Sequence, residues 1–169
     1  DKTEITGKNI LIATGSRPLQ LPGFEFDEKQ VLSSTGILSL KKLPTSLVIL
    51  GGGAIGCEFA YIMNCFGVKV TLVEMVDHLL PFEDAEAVSI LEQSFINSGI
   101  SVMTGTRAVS LKKSAKKVIV TLEEDKKKQQ TIEAEKVLCV FGRTPNTDDI
   151  GLENINLKTE KGFIPVNDY

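Results

Sequence analysis

Little in this sequence marks a secreted, fibrous or membrane protein. Its 169 residues hold three Cys, at Cys57, Cys65 and Cys139. That number is odd, and two of the three lie in apolar periodic segments. They make no disulfide framework and fit a reducing, intracellular setting, taken as cytoplasmic. Only six Pro are present, which excludes a collagen-like chain. The longest uninterrupted apolar stretch, counting Gly, runs Leu47–Cys57; its eleven residues are too few to cross a bilayer, so no membrane association is expected. A basic excess is also missing. With 19 basic and 22 acidic residues the net charge is -3, which argues against a general nucleic-acid surface. No charged-then-apolar signal segment opens the chain. Asp1-Lys2-Thr3-Glu4, with no initiator Met before it, reads as the interior of a longer protein, and a fragment is expected.

What is present is an ordinary globular composition, 42% apolar plus 14 Gly. Leu47–Leu50 is a short apolar run bounded by glycines and reads as a buried strand. After a turn at Gly51-Gly52-Gly53, Ile55, Phe59, Ile62 and Phe66 recur on one helical face, and Gly67 supplies a stop. Val68–Val73 is the next strand, and the intervening helix makes the two strands parallel. A second helix is read over 83–98, with Glu83, Asp84 and Glu86 in its first turn and Val88, Leu91 and Phe95 facing inward. Ile100–Met103 is a third strand. Ala108–Leu111, Val118–Leu122 and Thr131–Ala134 form an antiparallel meander joined by charged turns, and Lys136–Phe141 rejoins the main sheet. Upstream, Ile10–Ala13 reads as a buried strand ended by Gly15 and Pro18, and residues 17–46 as a linker with one helical turn near Thr35–Leu40. The expected fold is α/β: a Rossmann-like central parallel sheet with flanking helices and an antiparallel β-meander.

Gly51-x-Gly53-x-x-Gly56 falls between a strand and a helix, and Glu74 ends the next strand 18 residues after Gly56. In that setting the spacing points to a dinucleotide. Gly51 permits the tight turn, Gly53 admits a pyrophosphate to the backbone, and Gly56 lets helix and strand pack closely. Free N–H groups and the dipole at the helix start favour phosphate. The Glu74 carboxylate can accept hydrogen bonds from an adenosine ribose. It would also repel a 2′-phosphate, and Met75 and Val76 offer no cation to hold one, so NAD is expected over NADP. The competing reading is a glycine-rich turn beside an exposed strand-end Glu. Glu58, one turn into the helix, either complements the dipole or has a site role.

Further segments carry a family resemblance: Ile10–Pro18, Leu80-Pro81-Phe82-Glu83-Asp84, Val70–Glu74, Gly142-Arg143-Thr144-Pro145-Asn146, and the tail Gly151–Asn154 to Gly162–Asn167. With Gly51–Glu58 they resemble the FAD-dependent pyridine nucleotide–disulfide oxidoreductases over almost the whole chain. Within that family the pattern sits closest to the NAD-linked branch serving 2-oxo acid dehydrogenase complexes. NADPH-linked disulfide reductases are the alternative, and a non-catalytic NAD-binding module is a reading of a different class.

The resemblance implies that Gly51, Gly52, Gly53, Ala54, Ile55, Gly56, Cys57 and Glu58 form the NAD turn. Ile55 and Glu58 would lie at the nicotinamide, Glu74 at the ribose, Ala108 at the adenine, and Gly142 near the nicotinamide end. Thr14, Gly15 and Ser16 would contact FAD. Ala108 departs from the Val expected there. For the intact protein it implies FAD, a homodimer and a 2-oxo acid dehydrogenase complex as partner. It divides the chain into a strip of FAD domain (1–24), a linker (25–46), an NAD domain (47–147) and a return segment (148–169). The family's Cys-x4-Cys redox pair, first flavin glycine motif and His–Glu acid/base pair are not in the sequence, whose only His is His78. No catalytic residue and no metal site are expected in the chain, and by itself it is expected to be inactive.

Other residues read as structural. Cys57 is expected to pack against the sheet, the alternative being a thiol of lowered pKa at a helix start. His78 is expected to be solvated. Lys112-Lys113, Lys116-Lys117 and Lys126-Lys127-Lys128 read as meander turn tips rather than a nucleic-acid patch.

Overall fold

The computed structural model describes residues 3–124 and 128–168. In chain order the elements are β1 (Ser16–Pro18), β2 (Val31–Leu32), α1 (Ser34–Leu38), β3 (Ser46–Leu50), α2 (Ala54–Cys65), β4 (Lys69–Val73), α3 (Ala85–Asn97), β5 (Ser101–Met103), β6 (Thr106–Lys113), β7 (Val118–Glu124), β8 (Lys128–Ala134), β9 (Lys136–Cys139) and β10 (Arg143–Pro145), followed by a 3-10 turn at Leu152–Ile155. They fall into two compact units: residues up to Arg17 with those from Arg143 onward, and Pro18–Gly142.

The larger unit has three layers. Its centre is a parallel sheet of order β2-β9-β3-β4-β5. Side chains alternate across it, as they must on a strand. Leu47 and Ile49 of β3 join a core with Phe59, Ala60 and Met63 of α2 and Val88 and Phe95 of α3. Val48 and Leu50 point the other way, into a core with Val118, Val120 and Leu122 of β7. α2 and α3 thus cover one face, and the antiparallel sheet β6-β7-β8 covers the other.

Three local readings are corrected. The buried side of α2 is Gly56, Cys57, Phe59, Ala60 and Met63, whereas Ile62 and Phe66 are exposed. Small residues let the helix axis approach the sheet, and a count of large apolar side chains misses them. α3 begins at Ala85: Asp84 is its N-cap, accepting from the N–H groups of Glu86 and Ala87, and Glu86 alone is acidic in the first turn. The segment 25–46, expected to be a linker, is part of the packed unit. Val31 and Leu32 pair with Val137 and Leu138, and both are buried with Phe24 and Ile37. The Asp27 carboxylate holds this segment, accepting from the N–H groups of Lys29, Gln30 and Val31 and from the Lys113 ammonium at 2.9 Å.

In the smaller unit, Ile10–Ala13 is not a strand; Ile10 and Leu11 are exposed. A β-branched run becomes a strand only where its backbone groups find a partner, and among the described residues none pairs with it. The next three residues are held closely. Asn146 donates its backbone N–H to the Gly15 carbonyl and its amide N–H to that of Thr14, each at 3.0 Å. Arg143 donates to the hydroxyl and carbonyl of Ser16. Arg17 donates to the Pro145 carbonyl, Asn146 Oδ1 and the Asp148 carboxylate. Two sequence runs 125 residues apart are in this way one local assembly.

The charged turn 114–117 does tip a hairpin, closed by Ser114 N–H on the Lys117 carbonyl. Asp125–Lys127 of the second lysine-rich turn lie outside the described residues. His78 is half-buried rather than solvated, its Nδ1–H donating to the Leu79 carbonyl at 2.7 Å. No helix among the described residues is long and apolar enough to cross a membrane.

Candidate functional site

The carboxyl ends of β3, β4 and β9 open onto a cleft of about 1010 Å³ within the larger unit. Its floor is the glycine turn between β3 and α2. Gly51 N–H donates to the Val73 carbonyl, and Val140 N–H to that of Leu50, both at 2.9 Å, so the turn is pinned to both neighbouring strands. Gly51 has φ +116°, and a Cβ there would meet the Val140 carbonyl oxygen at 2.4 Å. At Gly56 a Cβ would meet the Gly51 carbonyl oxygen at 1.9 Å. Around Gly53 the space is open, with nothing within 4 Å of where a Cβ would stand.

Gly53 is the N-cap of α2 and has no side chain to cap the first-turn N–H groups of Ala54, Ile55 and Gly56, which have no partner within the helix. Those donors and the helix dipole make an anion seat.

Glu74 is neither exposed nor idle. Its carboxylate accepts from Gly52 N–H at 2.5 Å and from Val76 N–H at 3.0 Å. A carboxylate offers about four acceptor positions, so two remain toward the cleft, which Glu74 lines. Leu80 N–H donates to the Gly52 carbonyl, tying the 75–84 loop to the turn.

Of the residues singled out in the sequence, Gly51, Gly53, Ala54, Ile55, Gly56, Glu74, Ala108 and Gly142 line one cleft. Gly52 and Cys57 are buried beneath it. Glu58 is exposed and outside both the first turn of α2 and the cleft lining, so the dipole does not account for it. Cys57 packs as expected. Burial first, then the carboxylates of Glu74, Glu92 and Glu58, push its thiol up to about 11, which excludes the low-pKa alternative. Thr14, Gly15 and Ser16 lie in the smaller unit.

Residues given no site role in the sequence also line the cleft: Phe82 of the 75–84 loop, Phe24 and Phe141, which meet edge to face at 5.4 Å, and Arg107 and Glu123. Ala108 and Val109 both reach it where the β6–β7 register slips between Ala108 and Ser110, while Arg107, before the slip, keeps its regular place opposite Glu123. Such a bulge re-aims side chains that strict alternation would send apart, and sequence alone carries no sign of it.

The profile of the pyridine nucleotide-disulphide oxidoreductases matches residues 1–169. The chain belongs to this family. It is 42% identical over 163 residues to dihydrolipoyl dehydrogenase of Bacillus subtilis, covering 95% of this chain and 34% of that one. It is 40% identical over 162 residues to dihydrolipoamide dehydrogenase of Chaetomium thermophilum, covering 95% and 32%. Among solved structures it resembles LpdA of Mycobacterium tuberculosis (TM-score 0.79, 34% identity, 88% of this chain and 32% of that one). It also resembles the HOCl-induced flavoprotein disulfide reductase RclA of Escherichia coli (TM-score 0.84, 30% identity, 98% and 37%). The chain spans about a third of the length of the relatives it matches.

Proposed function

We infer that the chain is the NAD-binding part of a flavoprotein disulfide oxidoreductase of the dihydrolipoyl dehydrogenase kind, which oxidises dihydrolipoamide and reduces NAD. The supporting observation is the glycine turn: an open backbone at Gly53 with uncapped N–H groups, beside a Glu74 carboxylate with acceptor positions left toward the same cleft. Those features fit a dinucleotide. The pyrophosphate would sit on the N–H groups of Ala54, Ile55 and Gly56. The ribose hydroxyls would meet Glu74, and Ala108 would border the adenine. Ile55 and Gly142 would border the nicotinamide, whose chemistry when bound is to accept a hydride.

FAD, a redox disulfide, a homodimer and a 2-oxo acid dehydrogenase complex belong to this reading of the intact protein. Thr14, Gly15 and Ser16 would contribute to its flavin site. A cytoplasmic location goes with it.

The test is titration calorimetry of the wild type and Glu74→Ala with NADH and NADPH. Each charge-assisted hydrogen bond contributes roughly 1.5–3 kcal/mol. Glu74→Ala is therefore expected to weaken NADH by about ten- to a hundredfold. Equal wild-type affinities for NADH and NADPH would overturn the NAD assignment. Absence of binding to either would overturn the dinucleotide reading itself.

A further inference from the structure

The loop between β4 and α3 has no regular structure, yet its Leu80, Pro81, Phe82 and Glu83 line the cleft. Over residues 77–83 its backbone is bonded to the rest of the molecule, among the described residues, at two points. Leu80 N–H donates to the Gly52 carbonyl at 2.9 Å, and Leu79 N–H donates to the Glu92 carboxylate of α3 at 2.8 Å. Leu79 is fully buried in the helix-side core, so its N–H depends on the Glu92 oxygen and not on solvent. Next to it the chain turns at Leu80, whose φ is +46°. A leucine keeps that left-handed conformation only where its surroundings hold it there. The carbonyl held by Leu80 matters to the site. The Gly52 carbonyl and the Gly53 N–H share one rigid peptide plane, which leads into the uncapped N–H groups of α2. The Cys57 thiol is only a weak second donor to that carbonyl, at 3.4 Å. Glu92 itself lies outside the cleft lining.

We propose that Glu92 is a positioning residue for the dinucleotide cleft. From α3 it fixes Leu79, which keeps Leu80 in its left-handed turn, and Leu80 in turn holds the Gly52 carbonyl and the loop wall 80–83. The inference rests on the dinucleotide reading of the cleft. Glu92 touches no part of the bound molecule and acts through the two anchored N–H groups. The reach of its side chain and its acceptor oxygen carry the effect; its charge does not. Without that bond Leu80 relaxes out of the left-handed region and the Gly52 carbonyl loses its stronger donor. Loop and turn must then be ordered again when the dinucleotide binds, which lowers affinity.

The experiment is calorimetric titration with NADH of the 169-residue chain and its Glu92→Ala, Glu92→Asp and Glu92→Gln variants, with thermal unfolding and amide exchange of each. Glu92→Asp keeps the charge but is a methylene too short to reach Leu79. Glu92→Gln keeps the reach and an acceptor oxygen and loses the charge. Glu92→Ala and Glu92→Asp are expected to weaken NADH by about three- to tenfold, and Glu92→Gln to stay within about twofold of the wild type. The Leu79 and Leu80 amides should exchange faster in the first two variants and not in the third, while α3 keeps its protection. Unchanged NADH affinity in folded Glu92→Ala and Glu92→Asp would overturn the proposal. So would a Glu92→Gln as weak as Glu92→Ala, which would assign the effect to charge, or a loss of affinity with Leu79 and Leu80 exchange unaltered. Should Glu92→Ala fail to fold, the contrast between Asp and Gln decides. A wild type that binds no NADH overturns the dinucleotide reading and this inference together, whereas a binding wild type with indifferent variants overturns this inference alone.

Discussion

Replacing Gly56 with Ala sets a methyl carbon 1.9 Å from the Gly51 carbonyl oxygen, where real contacts stop at 3.0 Å. About 1.1 Å must be found, and the obstacle is backbone. Gly51 cannot simply yield, because its N–H is bonded to Val73 and the next strand is bonded to Leu50. Overpacking of this kind costs about 1–3 kcal/mol. The helix preference for Ala over Gly returns roughly 0.5–1 kcal/mol, leaving a net loss of up to about 2.5 kcal/mol, and the obstacle being backbone puts it toward the upper end. The shifted turn would also misplace N–H donors, and loss of one charge-assisted bond weakens NADH by about ten- to a hundredfold. Gly53→Ala is the companion. Its φ of −72° and ψ of −176° suit any residue, and nothing lies within 4 Å of the new carbon. Stability should hold within about 0.5 kcal/mol, while NADH weakens by at least about tenfold, because the methyl fills the space assigned to the pyrophosphate. Urea unfolding and NADH titration of both variants measure all four quantities. An unshifted midpoint for Gly56→Ala would refute the packing argument, and full NADH affinity in Gly53→Ala would refute the assignment of that space.

Two further expectations concern titrating groups. Burial raises Cys139 to about 12 and, with nearby carboxylates, Cys57 to about 11, whereas unfolded thiols ionise near about 8.5. The stabilisation from keeping both neutral is whole below pH ~8.5 and is lost as pH rises toward those folded values, by up to about 1.4 kcal/mol per thiol per pH unit. Cys139→Ala should flatten that alkaline fall, and a thiol reagent should meet one fast thiol, exposed Cys65, in the folded chain; two fast thiols would contradict the burial. Asp27 is pushed up by burial, but bonds from Val31 N–H, the Lys113 ammonium and the N–H groups of Lys29 and Gln30 outweigh it and hold the carboxyl well below its usual range. Its contribution is present above pH ~3.9 and is lost as pH falls below that. Asp27→Ala should therefore cost about 1–2 kcal/mol near neutrality, and its urea midpoint should converge on that of the wild type in acid; a constant gap would contradict the pairing.

The parts of the fold legible in the sequence were those with an apolar run, a period or a glycine stop. Leu47–Leu50 is an unbroken apolar run between turn residues, Val118–Leu122 alternates residue by residue, and Gly67 and Gly99 end helices at positive φ as their positions suggest. What escaped was held by single polar contacts or by closeness. The strand Val31–Leu32 has no period to detect, and its place is fixed by the Asp27 carboxylate. The face of α2 was misjudged because Gly56, Cys57 and Ala60 pack by being small. In the cleft, the glycines were readable because a turn at φ +116° and an approach of 1.9 Å exclude side chains. Val109 was not, because alternation places it opposite Ala108 until the bulge brings both to the cleft.

Glu74 joins the two halves of the site. An acidic strand end had two readings, ribose ligand or bare surface charge, and the Gly52 bond at 2.5 Å adds a third: the carboxylate holds the turn that is to receive the phosphates. The same negative charge that would select an unphosphorylated ribose also orders the donors for the pyrophosphate, and loss of Glu74 acts on both. Disorder of the turn weakens NADH and NADPH alike, whereas relief of 2′-phosphate repulsion strengthens NADPH alone. Glu74→Ala reports the sum of these effects. Glu74→Gln keeps one acceptor oxygen for Gly52 N–H, removes the charge, and puts an NH2 where the other oxygen accepts from Val76 N–H. A gain in NADPH affinity in Glu74→Gln that is larger than in Glu74→Ala isolates the repulsion from the disorder, and the difference between the two variants with NADH measures what the bond to Gly52 contributes.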